Sequence, residues 1–544
     1  MAWVSARREA MSVRSGWRRA LLGLAAAVVV VVVAVAVAAL LWSGVTLASD
    51  PTALARVSVQ PLGGTIEHVQ AFGPGGKSLP LAISAGRLTP LKRLSPGEQV
   101  SIDVDVRRPG WLGWALGAQQ SEHLTLRAPV AQVTEHWMTV PDHSPVRVSF
   151  DQAVSSVSYT TTGGSVRRKL GTGQRSISLG TKPATGTVEI AAAARPWERT
   201  GKPTQVSWFP PSRSAVMVSF PAASSRIGPA TPIDLTFSKP VSEVLGSSRP
   251  QLSPSTPGHW RELNSHTLVF TPTGLGAALG SSLRVLLPHP VAVTAGAGSV
   301  LRMTSQIEWT VPPGSTLRLQ QLLAEAGYLP VVWQPSGVAV PRTPSAEAQA
   351  AVDPPSGSFN WRYPNTPHQL QAMWTVGQPS VIVKGAVMKF ENVNELTVDG
   401  VAGPSVWHKL LSDAIAGKHS STGYSYVYVH REVPETMTLW HNGRTIITSP
   451  ANTGISGAET ELGTFPVFEH LPETTMSGTN PDGSHYEDPG IKWVSYFNGG
   501  DALHNFDRSS FGSPQSLGCV ELPLAASAEI WPYTPIGTLV TIET

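Results

Sequence analysis

Cysteine is nearly absent: Cys519 is the only one in 544 residues. No intramolecular disulfide can form, so packing and hydrogen bonds alone must hold the fold. Charge is scarce as well, at 14% of residues, with a net charge of +3. The longest basic run is Arg167-Arg168-Lys169, which reads as a solvated loop and excludes the basic stripe of a nucleic-acid-binding protein. Metal-ligand spacing is missing: no cluster of His, Asp or Glu in the first half has it, and Asp482, Glu487 and Asp488 lack the EF-hand pattern. No metal or cofactor is therefore expected. Long amphipathic helices are also few. Instead there are 50 glycines and 47 prolines among short alternating apolar runs, the mark of many short strands joined by turns.

One long apolar run does exist. Ala20 to Trp42, with six consecutive valines from Val28 to Val33, follows a tail carrying Arg7, Arg8, Arg14, Arg18 and Arg19. At 1.5 Å per residue it extends about 34 Å, enough to cross a bilayer core of about 30 Å. Basic residues stay on the cytoplasmic side, so the reading is a cytoplasmic tail (1–19), a single transmembrane anchor (20–42) and an extracytoplasmic remainder. The competing reading is a cleaved signal peptide with small residues at Thr46-Leu47-Ala48. An exported lone thiol has no disulfide partner in its own chain, which sharpens the question of its purpose.

The following segments divide by pattern. Residues 51–128 read as a β module, with Val57-Ser58-Val59 and Val100 to Val106 as strands. Val146-Arg147-Val148-Ser149-Phe150 is echoed 87 residues later by Ile233-Asp234-Leu235-Thr236-Phe237. Alternation puts Val146, Val148 and Phe150 on one face, and Ile233, Leu235 and Phe237 likewise. The offset is about one immunoglobulin-like sandwich, so 129–209 and 210–312 are expected as Ig-like modules; the second resembles the bacterial Ig-like modules that space wall enzymes from their membranes. Beyond Pro312-Pro313 the period changes. Leu319, Leu322 and Leu323 fall at helical spacing before Gly327. Gly385 to Glu391 suggests a second helix, and Val406, Trp407, Leu410 and Leu411 a third, after the loop Val398-Asp399-Gly400-Val401-Ala402-Gly403-Pro404. This arrangement (313–418) resembles the small peptidoglycan-binding domain, stretched by an insertion around Pro354 to Trp374. A helical module that only braces its neighbour is the alternative.

Near the end stands Ser516-Leu517-Gly518-Cys519-Val520-Glu521, preceded by His504-Asn505. A thiol between Gly and Val with a His fifteen residues upstream holds the parts of a Cys/His nucleophile. The imidazole takes the S–H proton, and backbone N–H groups beside the cysteine receive an oxyanion. A buried cysteine serving as a small hydrophobe fits the spacing equally.

Residues 422–544 resemble the catalytic domain of the L,D-transpeptidases, bacterial cell-wall cross-linking enzymes. The likeness rests on an ordered set: the strand Tyr426 to Val429, the Asn442-Gly443 hairpin, Asn452-Thr453-Gly454, Thr460 to Phe465, Ala502 to Asn505, Ser516 to Leu522, and the closing strand Pro535 to Ile542. Leu517 replaces the signature His, and Glu521 stands where Arg or Asn is common. The resemblance implies a mainly β, multidomain enzyme with a β-rich catalytic domain. Its roles would be Cys519 as nucleophile, His504 as base, Gly518 and Cys519 N–H groups as oxyanion donors, Ser516 as loop positioner, and Asn505 or a nearby backbone carbonyl fixing the imidazole tautomer. Leu517 would make the pocket more apolar and raise the thiol pKa. The segment Glu469 to Lys492, rich in Asn, Pro, Asp and Gly, reads as a covering loop, with Tyr486, Trp493 and Tyr496 as candidate substrate contacts. The implied partners are peptidoglycan stem peptides, with carbapenem-type β-lactams as covalent inhibitors. An L,D-carboxypeptidase and a catalytically inert wall-binding protein are the alternatives.

Overall fold

The computed structural model describes residues 6–161, 164–294 and 301–544. The chain divides into two compact units, Met1–Arg213 with Thr294–Val300, and Ser214–Val293 with Leu301–Thr544.

The first unit opens with helix α1 (Ala6–Trp42). Residues 1–5 of the basic tail, and the side chains of its arginines, lie outside the described residues. The stretch Leu22–Trp42 is 21 residues of apolar helix, long enough to cross a membrane. A strand follows almost at once: Val45–Ser49 pairs antiparallel with Ala55–Val59. Two four-stranded sheets enclose a core between them. Val100, Ile102, Val104 and Val106 of the strand Gln99–Arg107 are all fully buried, as their alternation requires. Residues 137–209 then form one five-stranded sheet, not the two-sheet sandwich expected of an immunoglobulin-like module. The cause lies in its longest strands, Pro145–Thr161 and Gly164–Thr181. Register shifts between Ser149 and Ser156 bend the first of them as β-bulges do, so one bent hairpin occupies the length that two sheets would share. The predicted inward face survives, with Val146, Val148 and Phe150 buried.

The second unit begins with a four-stranded and a three-stranded sheet. Ile233, Leu235 and Phe237 point into their core at 0% exposure. Helices α2 (Thr316–Glu325), α3 (Val381–Val393) and α4 (Pro404–Ala416) follow. Ser315 caps α2 by accepting from the Leu317 N–H, and Gly327 takes the positive φ of 82° expected after the helix end. The Val398–Gly403 loop wraps a buried carboxylate: Glu391 accepts from the N–H groups of Asp399 (3.1 Å) and Gly400 (2.8 Å). The segment read as an insertion is built into the module. Its strand Gly357–Trp361 pairs with Val331–Pro335, and its helix His368–Ala372 buries Leu370.

One continuous core runs from Met217 through the helices to Leu539, so helices and C-terminal domain are packed as one body. The contact is closest where α3 meets the loop before the last strand. A Cβ on Gly385 would lie 2.6 Å from the Gly537 carbonyl oxygen and 2.9 Å from Leu539 Cδ2. Lys389, with its ammonium pKa pushed down to about 8 by burial, donates to the Gly423 carbonyl at 2.8 Å. Gly385→Ala should therefore lower the unfolding free energy by about 1–3 kcal/mol, the usual cost of overpacking. Chemical denaturation at neutral pH measures it, and an unchanged midpoint would show that the helix can shift away freely.

The C-terminal domain has two sheets. The first, in spatial order, is β3 (Arg444–Pro450), β2 (Thr436–His441), β1 (Ser425–His430), β9 (Leu539–Glu543) and β4 (Gly463–Pro466). The second is β5 (Glu469–Thr479), β6 (His485–Asn498), β7 (Asp501–Asn505) and β8 (Val520–Leu522). Val427, Leu439, Leu503, Val520 and Val540 fill the space between them. Asn442 and Gly443, with φ of 47° and 85°, make the two-residue hairpin turn their sequence announces. The covering loop expected at 469–492 is instead the hairpin β5–β6. Asn480 to Ser484 is its turn, closed by the Asn480 N–H to the Ser484 carbonyl at 2.8 Å. Turn-forming residues were correctly located there, but their influence ends after five residues, and the flanks pair across the strands.

Candidate active site

Strands β7 and β8 lie side by side and parallel, with Leu503 opposite Val520 and His504 opposite Glu521. Leu503 and Val520 enter the core at 0% exposure. Side chains alternate along a strand, so His504 and Glu521 emerge on the other face, as does Cys519 one step before Val520. A lone cysteine and a histidine fifteen residues apart in sequence are thus delivered to one cavity of about 840 Å³.

His504 is almost completely buried, and burial pushes its imidazole pKa down. Its Nδ1 lies 2.8 Å from the Asn505 carbonyl oxygen, which accepts only if Nδ1 carries the proton. Nε2 is then left unprotonated, as a base toward a thiol requires. The carboxamide of Asn505 turns elsewhere, its Oδ1 accepting from the Lys492 N–H at 2.8 Å.

The cysteine loop is tied at both ends. Ser516 Oγ donates to the Cys519 carbonyl at 2.6 Å and accepts from the Gly518 N–H at 3.3 Å. Gly518, at φ +115°, could carry no side chain: a Cβ there would stand 2.3 Å from Asp501 Oδ1. The loop is anchored from below by Thr453, whose carbonyl accepts from the N–H groups of Gln515 (2.8 Å) and Ser516 (3.0 Å). Thr453 in turn gives its own N–H and hydroxyl to the fully buried Glu435 carboxylate, both at 2.6 Å. Asn452 and Glu521 exchange two backbone hydrogen bonds beside it, 3.0 and 2.9 Å.

Residues 424–542 match the YkuD family, the L,D-transpeptidase catalytic domain.

Solved structures similar to the chain include an L,D-transpeptidase from Mycobacterium smegmatis, at 12% identity, covering 61% of this chain and 99% of that one, with a TM-score of 0.21. The catalytic domain of the Enterococcus faecium L,D-transpeptidase shares 24% identity over 23% of this chain and 99% of its own, TM-score 0.21. L,D-transpeptidase 3 from Mycobacterium tuberculosis, in complex with a faropenem-derived adduct, shares 10% identity over 60% and 98%, TM-score 0.21. No curated protein matches the chain.

In this L,D-transpeptidase-like domain the half-buried thiol is held neutral. Burial pushes the Cys519 pKa up to about 12, a hydrogen bond with the Ala502 backbone opposing it and the negative charges of Asp501 and Glu521 adding to it, and its Sγ lies 3.6 Å from the Gly500 carbonyl oxygen. Leu517 lines the cavity, but the acids beside the sulfur raise the pKa as well as the apolar surroundings. The unusual Glu521 has its own cation. Arg508 grips it with two bonds of 2.6 and 2.8 Å, donates to the Gln515 carbonyl at 3.0 Å, and places its guanidinium 4.5 Å from the Phe506 ring centre. Tyr486 and Tyr496 line the cavity, their hydroxyl pKa values raised by burial first and then by the Cys519 charge. Trp493 does not line it; its ring packs 5.2 Å from Trp531. Asp482, considered above for a cation, accepts instead from the Ser484 N–H at 2.9 Å and its hydroxyl at 2.6 Å.

Asp501, Arg508 and Glu435 were missed in the sequence. Asp501 sits only three residues before His504, but alternation along β7 assigns it to the opposite face, so only its nearness in the chain hinted at it. Arg508 and Glu435 carried no such hint, because their partners Glu521 and Thr453 lie 13 and 18 residues away through irregular chain.

Proposed function

We propose that this chain is a membrane-anchored cysteine L,D-transpeptidase that cross-links or remodels peptidoglycan through a Cys519 acyl-enzyme. The observation that carries the reading is the common face of β7 and β8, where the thiol lines one cavity with an imidazole whose Nδ1–H is already committed to a carbonyl. In the first step Cys519 gives its proton to His504 Nε2 as sulfur attacks the carbonyl of the diamino acid in a donor tetrapeptide stem. The C–N bond to the terminal D-alanine breaks, and His504 returns the proton to the leaving amine. In the second step the amine of a neighbouring stem forms a C–N bond at the thioester carbonyl, the C–S bond breaks, and the proton passes through His504 to the departing sulfur. Because the Gly518 N–H is engaged with Ser516 Oγ, the Cys519 N–H is the better oxyanion donor. Ser516 positions the loop, and Tyr486 and Tyr496 contact the stem.

The anchor, as against a cleaved signal, is supported by the strand Val45–Ser49. A cut near Ser49 would strip that strand from its sheet and remove buried Val45. The β modules serve as a spacer, and the helical module braces the catalytic sheets through the shared core. One observation favours the inert wall-binding alternative: a thiol held near 12 beside Leu517 in place of the motif histidine.

Incubating the detergent-solubilised full chain with tetrapeptide muropeptides, followed by mass spectrometry, tests the reading. Cross-linked dimers are expected. Tripeptides alone would indicate a carboxypeptidase, and unchanged substrate would leave the inert reading standing.

A further inference from the structure

Between the strands Gln99–Arg107 and Gln119–Arg127 the first unit makes a short excursion, Arg108-Pro109 followed by the helix Gly110–Leu116. Leu112 points inward at 5% exposure, whereas Trp111 and Trp114 stand 56% and 85% exposed. Three residues apart on a helix, the two indoles share one side. Single exposed apolar residues are ordinary, but two tryptophans mostly exposed on a seven-residue helix are not covered by packing among the described residues. Arg108 stiffens the base of the excursion, donating to the carbonyls of Gly117 (3.3 Å) and Gln119 (3.4 Å) and to Gln120 Oε1 (2.8 Å). Arg107 lies beside it, largely exposed, 3.5 Å from Glu67.

The position of this excursion matters more than its composition. The turn Gln60–Gly64 touches the end of α1 on one side, where the Leu62 N–H donates to the Trp42 carbonyl at 2.9 Å and the Gln60 N–H to that of Gly44 at 3.0 Å. On its other side the same turn meets the root of the excursion. A Cβ on Gly64, at φ +104°, would lie 2.0 Å from the Arg107 carbonyl oxygen and 3.0 Å from Arg108 Cα. One turn therefore joins the end of the apolar helix, with Trp42 exposed, to the base of the tryptophan helix.

We infer that Trp111 and Trp114 enter the lipid headgroup region of the membrane that α1 crosses, so that the first β module is held at the bilayer surface by two points and does not swing on one. The occupant of this aromatic face is the phospholipid interface. Tryptophan rings partition there because one part is apolar and the indole N–H is satisfied by headgroups and water, and the largely exposed Arg107 at the base suits lipid phosphates. The inference rests on the membrane-anchored reading.

The test uses full-length protein in phospholipid nanodiscs, in a Cys519→Ala background that frees the thiol label. An environment-sensitive fluorophore is attached at Gly110→Cys, where nothing lies within 4 Å of an added Cβ, at Trp42→Cys, or at Arg127→Cys. Arg127 ends the nine-residue strand that leads away from the excursion, about 27 Å along at ~3.4 Å per residue. Lipids bearing a headgroup-level quencher should extinguish most emission at positions 42 and 110 and leave 127 bright. Adding Trp111→Ser with Trp114→Ser should restore the emission at 110. A bright 110 with a quenched 42 overturns the inference and leaves the anchor intact. A bright 42 removes the anchor, and the inference with it. Equal quenching at 127 means general adsorption and overturns the inference as well.

Discussion

Incubated with a carbapenem, the protein should gain the mass of one drug molecule, and Cys519→Ala should gain none. The strained ring presents a carbonyl to the sulfur, and once opened it stays attached, so the adduct reports the first acyl transfer without any acceptor. His504→Ala should slow the adduct by about 10²- to 10⁴-fold, the usual contribution of general-base assistance. Dependence on the imidazole should be strong because the thiol cannot ionise unaided. At an ordinary pKa near 8.5 a few per cent of a thiol is thiolate at neutral pH, but with Cys519 at about 12 that resting population is negligible. Proton removal must then accompany attack, and His504, its Nδ1–H held by the Asn505 carbonyl at 2.8 Å, is the group placed to do it. An adduct on correctly folded Cys519→Ala, or an unchanged rate in His504→Ala, would remove these residues from the chemistry.

Asp501→Asn should make the same acylation faster, and only above a definite pH. Burial, and then the charge of Glu461, hold the Asp501 carboxyl up to about 6. Below that pH it is neutral, and variant and wild type present the same charge to the sulfur. As pH rises through about 6, the wild type gains a negative charge against Gly518 and Cys519, which opposes thiolate formation; the asparagine variant does not. The ratio of variant to wild-type rate should be near one at acid pH and climb toward neutrality, by roughly tenfold for each pK unit by which the thiol is relieved. Stability carries the same signature. A carboxyl whose folded pKa is raised binds its proton more tightly in the folded state, so wild-type stability should fall as pH rises through the window between 3.8 and about 6. Thermal unfolding of Asp501→Asn should lack that fall. A rate ratio independent of pH would mean that Asp501 only shapes the pocket.

Much of the site was legible because its determinants are local. The Asn442-Gly443 turn, the capping Ser315 and Gly327, and the alternating Val100 to Val106 each depend on a few neighbouring residues, and backbone sterics impose the same outcome wherever they occur. The lone Cys519 and His504 were visible for another reason: a single thiol in 544 residues is chemically conspicuous. Other features misled in a consistent way. The composition of 469–492 indicated a loop, but pairing between β5 and β6 is decided across strands. The echo of Val146–Phe150 in Ile233–Phe237 marked two inward-facing strands correctly, yet the bulges in Pro145–Thr161 gave the first copy a single bent sheet.

The sequence by itself determined the apolar helix, the β-rich character, the inward faces of the strands and the choice of Cys519 and His504 as the candidate pair, because periodicity and side-chain chemistry are properties of short stretches. Only the tertiary structure decided how that pair is tuned. Asp501 reaches the cysteine loop through the close approach of Gly518, Arg508 pairs with Glu521 from a separate irregular segment, and Glu435 holds Thr453 beneath both. Electrostatic effects on a thiol depend on distance in space, and that distance is set only when the two sheets have packed.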